Sequence, residues 1–134
     1  ELNVARLAAR QAYEQAGLGP QDMDLAEVHD ATAMGEIMQV ENLGFVAAGE
    51  GGPAAERGEF ALGGRLPVNP SGGLESRGHP LGATGLAQLH ELTMQLRDEA
   101  GARQVPGARH AIQENDGGFQ GVEEASVAIH ILSK

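Results

Sequence analysis

The sequence predicts an α/β layer fold. Segments with helical spacing alternate with short strand-like segments, in the order helix, strand, helix, loop, strand, helix, strand, strand. Glycine makes up 20 of the 134 residues, about twice ordinary usage, and it gathers in three stretches between those elements. A histidine, His29, closes the first strand-like segment, and the carboxyl end of a strand is where open α/β sheets bind their ligands.

Each element has its own signal. Val4, Leu7, Ala8, Ala12 and Ala16 recur at helical spacing through residues 3–17, and Gly17 followed by Pro20 marks a left-handed cap and stop. Leu25, Ala26 and Val28 read as a short strand that delivers His29 and Asp30 at its end. Ala33, Ile37, Val40 and Leu43 return to helical spacing. Residues 44–65, with seven glycines and Pro53, read as a long irregular loop. Leu66 to Asn69 reads as a brief strand, with Pro67 placing it at a start or an edge. Pro70 to Pro80 reads as a second glycine-rich loop. Residues 82–100 read as the strongest helix, with Leu86, Leu89, Leu92 and Leu96 as its apolar stripe and Gly101 as its end. Residues 108–114 and 124–132 read as strands. In the second, Val127, Ile129 and Ile131 alternate with Ala128, His130 and Leu132. Asn115 to Gly121 reads as a glycine-rich turn between them.

Composition removes several classes of function. Nine basic against 19 acidic residues give a formal charge of −10, so the basic footprint of a nucleic-acid or anionic-membrane binder is missing. There is no cysteine, hence no disulfide, thiolate metal site or thiol nucleophile in these residues. No apolar run approaches the roughly 18 residues of a membrane span. Glu1-Leu2-Asn3-Val4 has neither the basic start nor the apolar stretch of a signal peptide. The expected location is cytoplasmic, and the segment is expected to be the interior of a longer chain or a processed product.

Five histidines carry the remaining chemical interest. None pairs with another at i, i+4, and no acid stands at metal-motif spacing, so no metal site is predicted. His130 reads as a sheet-face residue and His90 as a helix-surface residue. His79 lies between Gly78 and Pro80, just before a helix. Such a turn holds an imidazole on rigid backbone, where it can serve as a base or remain an idle loop residue. His29 can act as a ligand or oxyanion donor, with Asp30 to orient it, or can be a satisfied strand-end residue. The backbone of Asn115-Asp116-Gly117-Gly118 can form an oxyanion nest or an ordinary hairpin turn. No phosphate-binding glycine motif is present.

Read together, these segments resemble a known family. Val68-Asn69-Pro70-Ser71-Gly72-Gly73 followed by Gly78-His79-Pro80-Leu81-Gly82-Ala83-Thr84-Gly85 resembles the thiolase signature around the G-H-P histidine. Glu27-Val28-His29-Asp30-Ala31 resembles the segment holding N-E-A-F in conventional thiolases and H-D-C-F in the sterol-carrier-protein type. Gly117-Gly118-Phe119-Gln120-Gly121 stands where the C-x-G loop belongs. The likeness spans nearly the whole chain. It points to the C-terminal half of a thiolase-like layered fold, a mixed sheet with helices packed on it, nearest to sterol-carrier-type thiolases, thiolase-like lipid-transfer proteins and aldolases. Residues 1–134 would then be one domain, incomplete without an N-terminal half.

The resemblance implies roles. His79 would be the base, and His29 would help hold a thioester oxygen. Asn115 falls at the cysteine of C-x-G and Gly117 at its glycine, a backbone oxyanion donor. Asn69, Ser71, Gly72 and Gly118 would line the substrate. The substrate would be a coenzyme A thioester, with no bound cofactor and no metal. The second catalytic cysteine of thiolases is missing, because its two alternative positions read Ala31 and Asn115. This favours aldol chemistry over thiolysis, within an assembly that includes an N-terminal half or separate subunit and a zinc-ribbon/OB-fold partner. Homo- or hetero-oligomers are expected. Related aldolases use tyrosine for acid–base work, but the single tyrosine, Tyr13, reads as a packing residue. A non-catalytic acyl-CoA or lipid binder is the alternative.

Overall fold

A computed structural model describes residues 3–121 and 123–134. Helix α1 spans Val4–Ala16. Asn3 caps it by accepting from the N–H groups of Ala5 and Arg6, and Gly17 ends it at φ 67°. Strand β1 is Leu25–Glu27 and α2 is Ala33–Asn42, capped by the Thr32 hydroxyl. Two short helices follow, α3 at Gly51–Glu56 and α4 at Gly73–Arg77. Helix α5 is Thr84–Leu96. The chain closes with two long strands, β2 at His110–Gln120 and β3 at Glu123–Ser133.

The described sheet has the order β1-β2-β3 and is mixed, with β1 parallel to β2 and β3 antiparallel to it. Period-two alternation assigns its residues to two cores. Ala26 and Ile112 face the α1–α2 side, joined by Ile129 and Ile131 of β3 and by Ala9, Tyr13, Val40 and Leu43. Leu25 and Ala111 face α5, joined by Leu132 and by Leu92, Leu96 and Val105. Helices therefore cover both faces.

The structure corrects five readings of the sequence. Residues 44–65 are not wholly irregular, since they contain α3. Leu66 to Asn69 makes a single bridge, Val68 to Ala26, rather than a strand. The loop before His79 contains α4. Helix α5 stops at Leu96, and Asp98 turns the chain at φ 59°. Asn115 to Gln120 is not a turn: it continues β2, with Asn115 opposite Ala128 and Gly117 opposite Ser126.

The buried face of α5 also differs from the leucine stripe. It consists of Thr84, Gln88, Glu91 and Gln95 together with Leu92 and Leu96, while Leu86 is exposed. Each buried polar group is satisfied, as burial requires. Gln88 donates to the Glu114 carbonyl and accepts from Gln113. Gln95 donates to Glu91 and to the Arg103 carbonyl and accepts from the Val105 N–H.

Candidate active site

The site is built where β1 ends. Two side chains fix its exit: Asn69 Oδ1 accepts from the Val28 N–H at 2.8 Å, and Glu114 Oε2 accepts from the His29 N–H at 2.9 Å. Asn69 takes a left-handed conformation, φ 50°, and donates its amide to Glu36. The imidazole of His29 is thereby directed over β2. Its Nδ1 lies 3.3 Å from Asn115 Oδ1, and its Nε2 lies 3.5 Å from Asp116 Oδ1.

Asp30 does not orient His29. Its carboxylate points the other way and accepts from the Leu74 N–H at 2.7 Å, at the start of α4. Glu27 secures the same loop by accepting from the Ser71 N–H and hydroxyl and from Arg77. Helix α4 leads through Gly78 to His79, an exposed residue. His79 Nδ1 lies 2.7 Å from the hydroxyl of the buried Thr84. When that hydroxyl donates to the Pro80 carbonyl, at 3.4 Å, it accepts from Nδ1–H, which leaves the lone pair of His79 on Nε2.

The two imidazoles meet edge to face, with ring centroids 4.8 Å apart and planes at 87°. They sit in the wall of a cavity of about 780 Å³, which is the size of a small-molecule or cofactor-tail site. Asn115, Asp116, Gly117 and Gly118 line it from β2, and Thr84 and Gly85 from α5. Gly85 brings the first turn of α5 close to Asn115, whose amide carbon lies 3.5 Å from where a Cβ would stand. Ala31 is also in the wall, and the exposed Leu81, Leu86 and Phe119 form an apolar rim.

The sequence-predicted residues thus divide. His29, His79, Asn115, Gly117 and Gly118 are brought together. Asn69, Ser71 and Gly72 lie outside the cavity wall, and the side chains of the first two are engaged with β1 and its flanks. Sequence reasoning missed Thr84, Glu114 and Asp116. Thr84 and Asp116 stood inside the quoted motifs, but as members of a signature and a turn rather than as side chains.

Acidic side chains lie beside and beneath the two histidines. Glu114 is fully buried. Burial pushes its carboxyl up to about 8, the His29 N–H opposes this, and nearby Asp116 and Glu124 add to it. Its Oε1 has no hydrogen-bond partner among the described residues. Burial also raises Asp116, against the pull of His29 and with the push of Glu124. Gln39 bridges these two acids, donating to Asp116 Oδ2 and Glu124 Oε1, each at 3.1 Å. No cluster of metal-ligating side chains and no helix long and apolar enough to cross a membrane occurs among the described residues.

Comparison with known proteins agrees with this geometry. Residues 2–134 match the family described as thiolase C-terminal domain-like. The chain is 54% identical over 127 residues to an acetyl-CoA acetyltransferase of Methanothermobacter thermautotrophicus, covering 95% of this chain and 32% of that protein. It is 53% identical over 115 residues to sterol carrier protein 2 of Rattus norvegicus, covering 86% and 21%. Among solved structures it resembles the Ltp2-ChsH2(DUF35) aldolase, with a TM-score of 0.73 and 28% identity over 82% of this chain and 28% of that one. The chain spans about a third or less of the length of these relatives. The two-histidine cavity, the mixed sheet between helices and the full-length match lead to one assignment: this chain belongs to the thiolase C-terminal domain-like family.

Proposed function

We propose that this domain carries half of an active site that makes or breaks a C–C bond beside the carbonyl of an acyl-CoA thioester. The observation that carries the reading is the contact of His29 and His79 in one cavity wall, next to the Asn115–Gly118 strand. The completing half is an N-terminal thiolase domain or a separate subunit, with a zinc-ribbon/OB-fold protein as a further partner, in a cytoplasmic oligomer. No bound cofactor or metal is needed for this chemistry.

In the cleavage direction His79 Nε2 takes the proton of a β-hydroxyl. The bond between the α- and β-carbons breaks, and its electrons form the thioester enolate. The enolate oxygen is held by His29 and by the backbone of Gly117 and Gly118, while Asn115 holds the His29 ring. Asn69, Ser71 and Gly72 support the site from the loop that carries His79. Aldol chemistry is favoured over thiolysis because Ala31 and Asn115 carry no exchangeable thiol proton. The aldolase likeness supports this, while the acetyltransferase relative keeps acyl transfer as the neighbouring reaction.

The test uses the complete protein, with its other half present, and β-hydroxyacyl-CoA and β-ketoacyl-CoA substrates. Release of a carbonyl product and a shortened acyl-CoA is expected, reduced at least 100-fold by His79→Ala. Unchanged turnover in that variant would refute the reading. The absence of any cysteine supports a second reading, a non-catalytic acyl-CoA or lipid binder. Tight thioester binding without turnover would establish it.

A further inference from the structure

The reaction proposed above leaves one proton unassigned. His79 removes a proton from the β-hydroxyl, but the enolate must receive one at its α-carbon. Thiolases give this task to a second cysteine, and here the two alternative positions are Ala31 and Asn115. Among the described residues in the cavity wall, four side chains are ionisable: His29, His79, His130 and Asp116. His29 is assigned to the enolate oxygen. His130 is exposed, and its Nδ1 is tied to Gln113 Oε1 at 2.6 Å. Asp116 is the one carboxylic acid in that wall.

We infer that Asp116 is the acid–base residue that exchanges the α-carbon proton, in place of the missing thiol; this rests on the C–C bond reading above. The geometry supports it in three ways. Asp116 Oδ1 lies 3.5 Å from Nε2 of His29, the ring assigned to the enolate oxygen. The α-carbon of a thioester enolate lies about 2.4 Å from that oxygen, from bond lengths near 1.3 and 1.5 Å, so a substrate held by His29 brings this carbon beside Asp116. The other oxygen, Oδ2, is anchored by Gln39 at 3.1 Å, which fixes the carboxyl without blocking Oδ1. The side chain is 15% exposed, close to solvent for proton exchange yet largely withdrawn from it.

The step balances. In cleavage, Asp116 enters as the carboxylic acid, gives its proton to the α-carbon and leaves as carboxylate. His79 leaves protonated, and cavity water returns that proton from His79 to Asp116. In condensation, the carboxylate removes the α-proton and His79 protonates the new alkoxide.

The charged and titratable groups facing Asp116 are His29 beside it, His79 across the ring contact, Glu124 on β3 behind Gln39, and the nearby Glu114 on its own strand. Burial among them raises the Asp116 carboxyl, as an acid working near neutrality requires.

The experiment uses the complete enzyme in D₂O and follows deuterium entry at the α-carbon of a saturated acyl-CoA, alongside turnover. Wild type is expected to exchange. Asp116→Asn, which keeps an oxygen for Gln39, is expected to lose exchange at least 100-fold with thioester affinity within about threefold. Asp116→Ala is expected to recover exchange when formate is added, and the acidic limb of its pH profile should follow the added acid. Exchange and turnover within threefold of wild type in Asp116→Asn, or loss in Asp116→Ala that formate leaves untouched, would overturn the assignment. A wild type that neither exchanges nor turns over would instead overturn the C–C bond reading itself.

Discussion

The carboxylate of Asp30 occupies the space in which any side chain at position 73 would begin. A Cβ built on Gly73 would lie 1.9 Å from Asp30 Oδ2, and Gly73 itself sits at φ 61°. The residue after His29 is thereby locked to the first turn of α4, the helix that leads to His79. The two site loops, separated by about 40 residues of chain, are held together in their backbones as well as through their rings.

Gly73→Ala is therefore expected to destabilise the domain by about 2–4 kcal/mol, from backbone strain and displacement of a buried cap. Urea unfolding of the single and double variants checks the cause. In an Asp30→Ala background the same change should cost less, because the clash is gone. Equal cost in both backgrounds would mean that the strain lies elsewhere.

The Thr84 hydroxyl is the hydrogen-bond partner of His79 Nδ1, at 2.7 Å. Thr84→Val keeps the shape and removes the hydrogen bond. In the complete enzyme, kcat should drop about tenfold, against the roughly 10²–10⁴-fold ascribed to an acid–base group removed outright in His79→Ala. Thr84→Ser should restore most of the loss. Wild-type kcat in the valine variant would show that the hydroxyl does not orient the base.

Stability should fall as pH rises from about 5 to 8. Burial pushes Glu27 up to about 7, although hydrogen bonds from Ser71 and the charge of Arg77 oppose it, and Glu114 rises to about 8. Both groups bind a proton more tightly in the folded than in the unfolded chain. Their contribution is complete below the ordinary glutamate range and is lost as pH climbs through the raised values. Glu36 and Asp116 shift in the same direction. Glu114→Gln keeps an acceptor for the His29 N–H but cannot ionise. It should remove on the order of 2–4 kcal/mol of the decline, read from urea midpoints at pH 5 and pH 9. A variant declining as steeply as wild type would sink the assignment to Glu114.

Tyr13 is buried, donates its hydroxyl to the Leu43 carbonyl at 3.1 Å and lies outside the two-histidine cavity. Tyr13→Phe should lose about 0.5–1.5 kcal/mol of stability and leave turnover unchanged. A large loss of activity at unchanged stability would reopen a tyrosine acid–base role.

What could be read from the sequence was what is local. Capping residues and apolar spacing revealed α1 and α2, and the alternation of Ile129, Ile131 and Leu132 revealed β3 with its two faces. His29 and His79 were visible because flanking residues give each a distinctive place. Asn115 to Gln120 was misread because Asn, Asp and Gly favour turns when judged alone. In the folded chain their conformation is set by pairing with β3, which holds them in the ladder. The buried glutamines of α5 escaped for a similar reason: they are tolerated inside only because Gln113, Arg103 and Val105, distant in sequence, complete their hydrogen bonds. Asp116 was in view throughout, but its contact with His29 spans 87 positions and leaves no local trace.

The packing of α1 against β3 has a consequence for synthesis. Helix α1 buries Ala9 and Tyr13 in a core completed by Ile129 and Ile131 near the far end of these residues, and Asn3 bonds Glu124. β1 likewise must await β2, some 85 residues later. Helix α1 can meet α2 early, through Tyr13 and the Leu43 carbonyl, but the core they share closes only after β3 has emerged. Until then α1 and α2 expose the apolar surface that Ile129 and Ile131 will cover, and the nascent chain depends on whatever shields it in the interval.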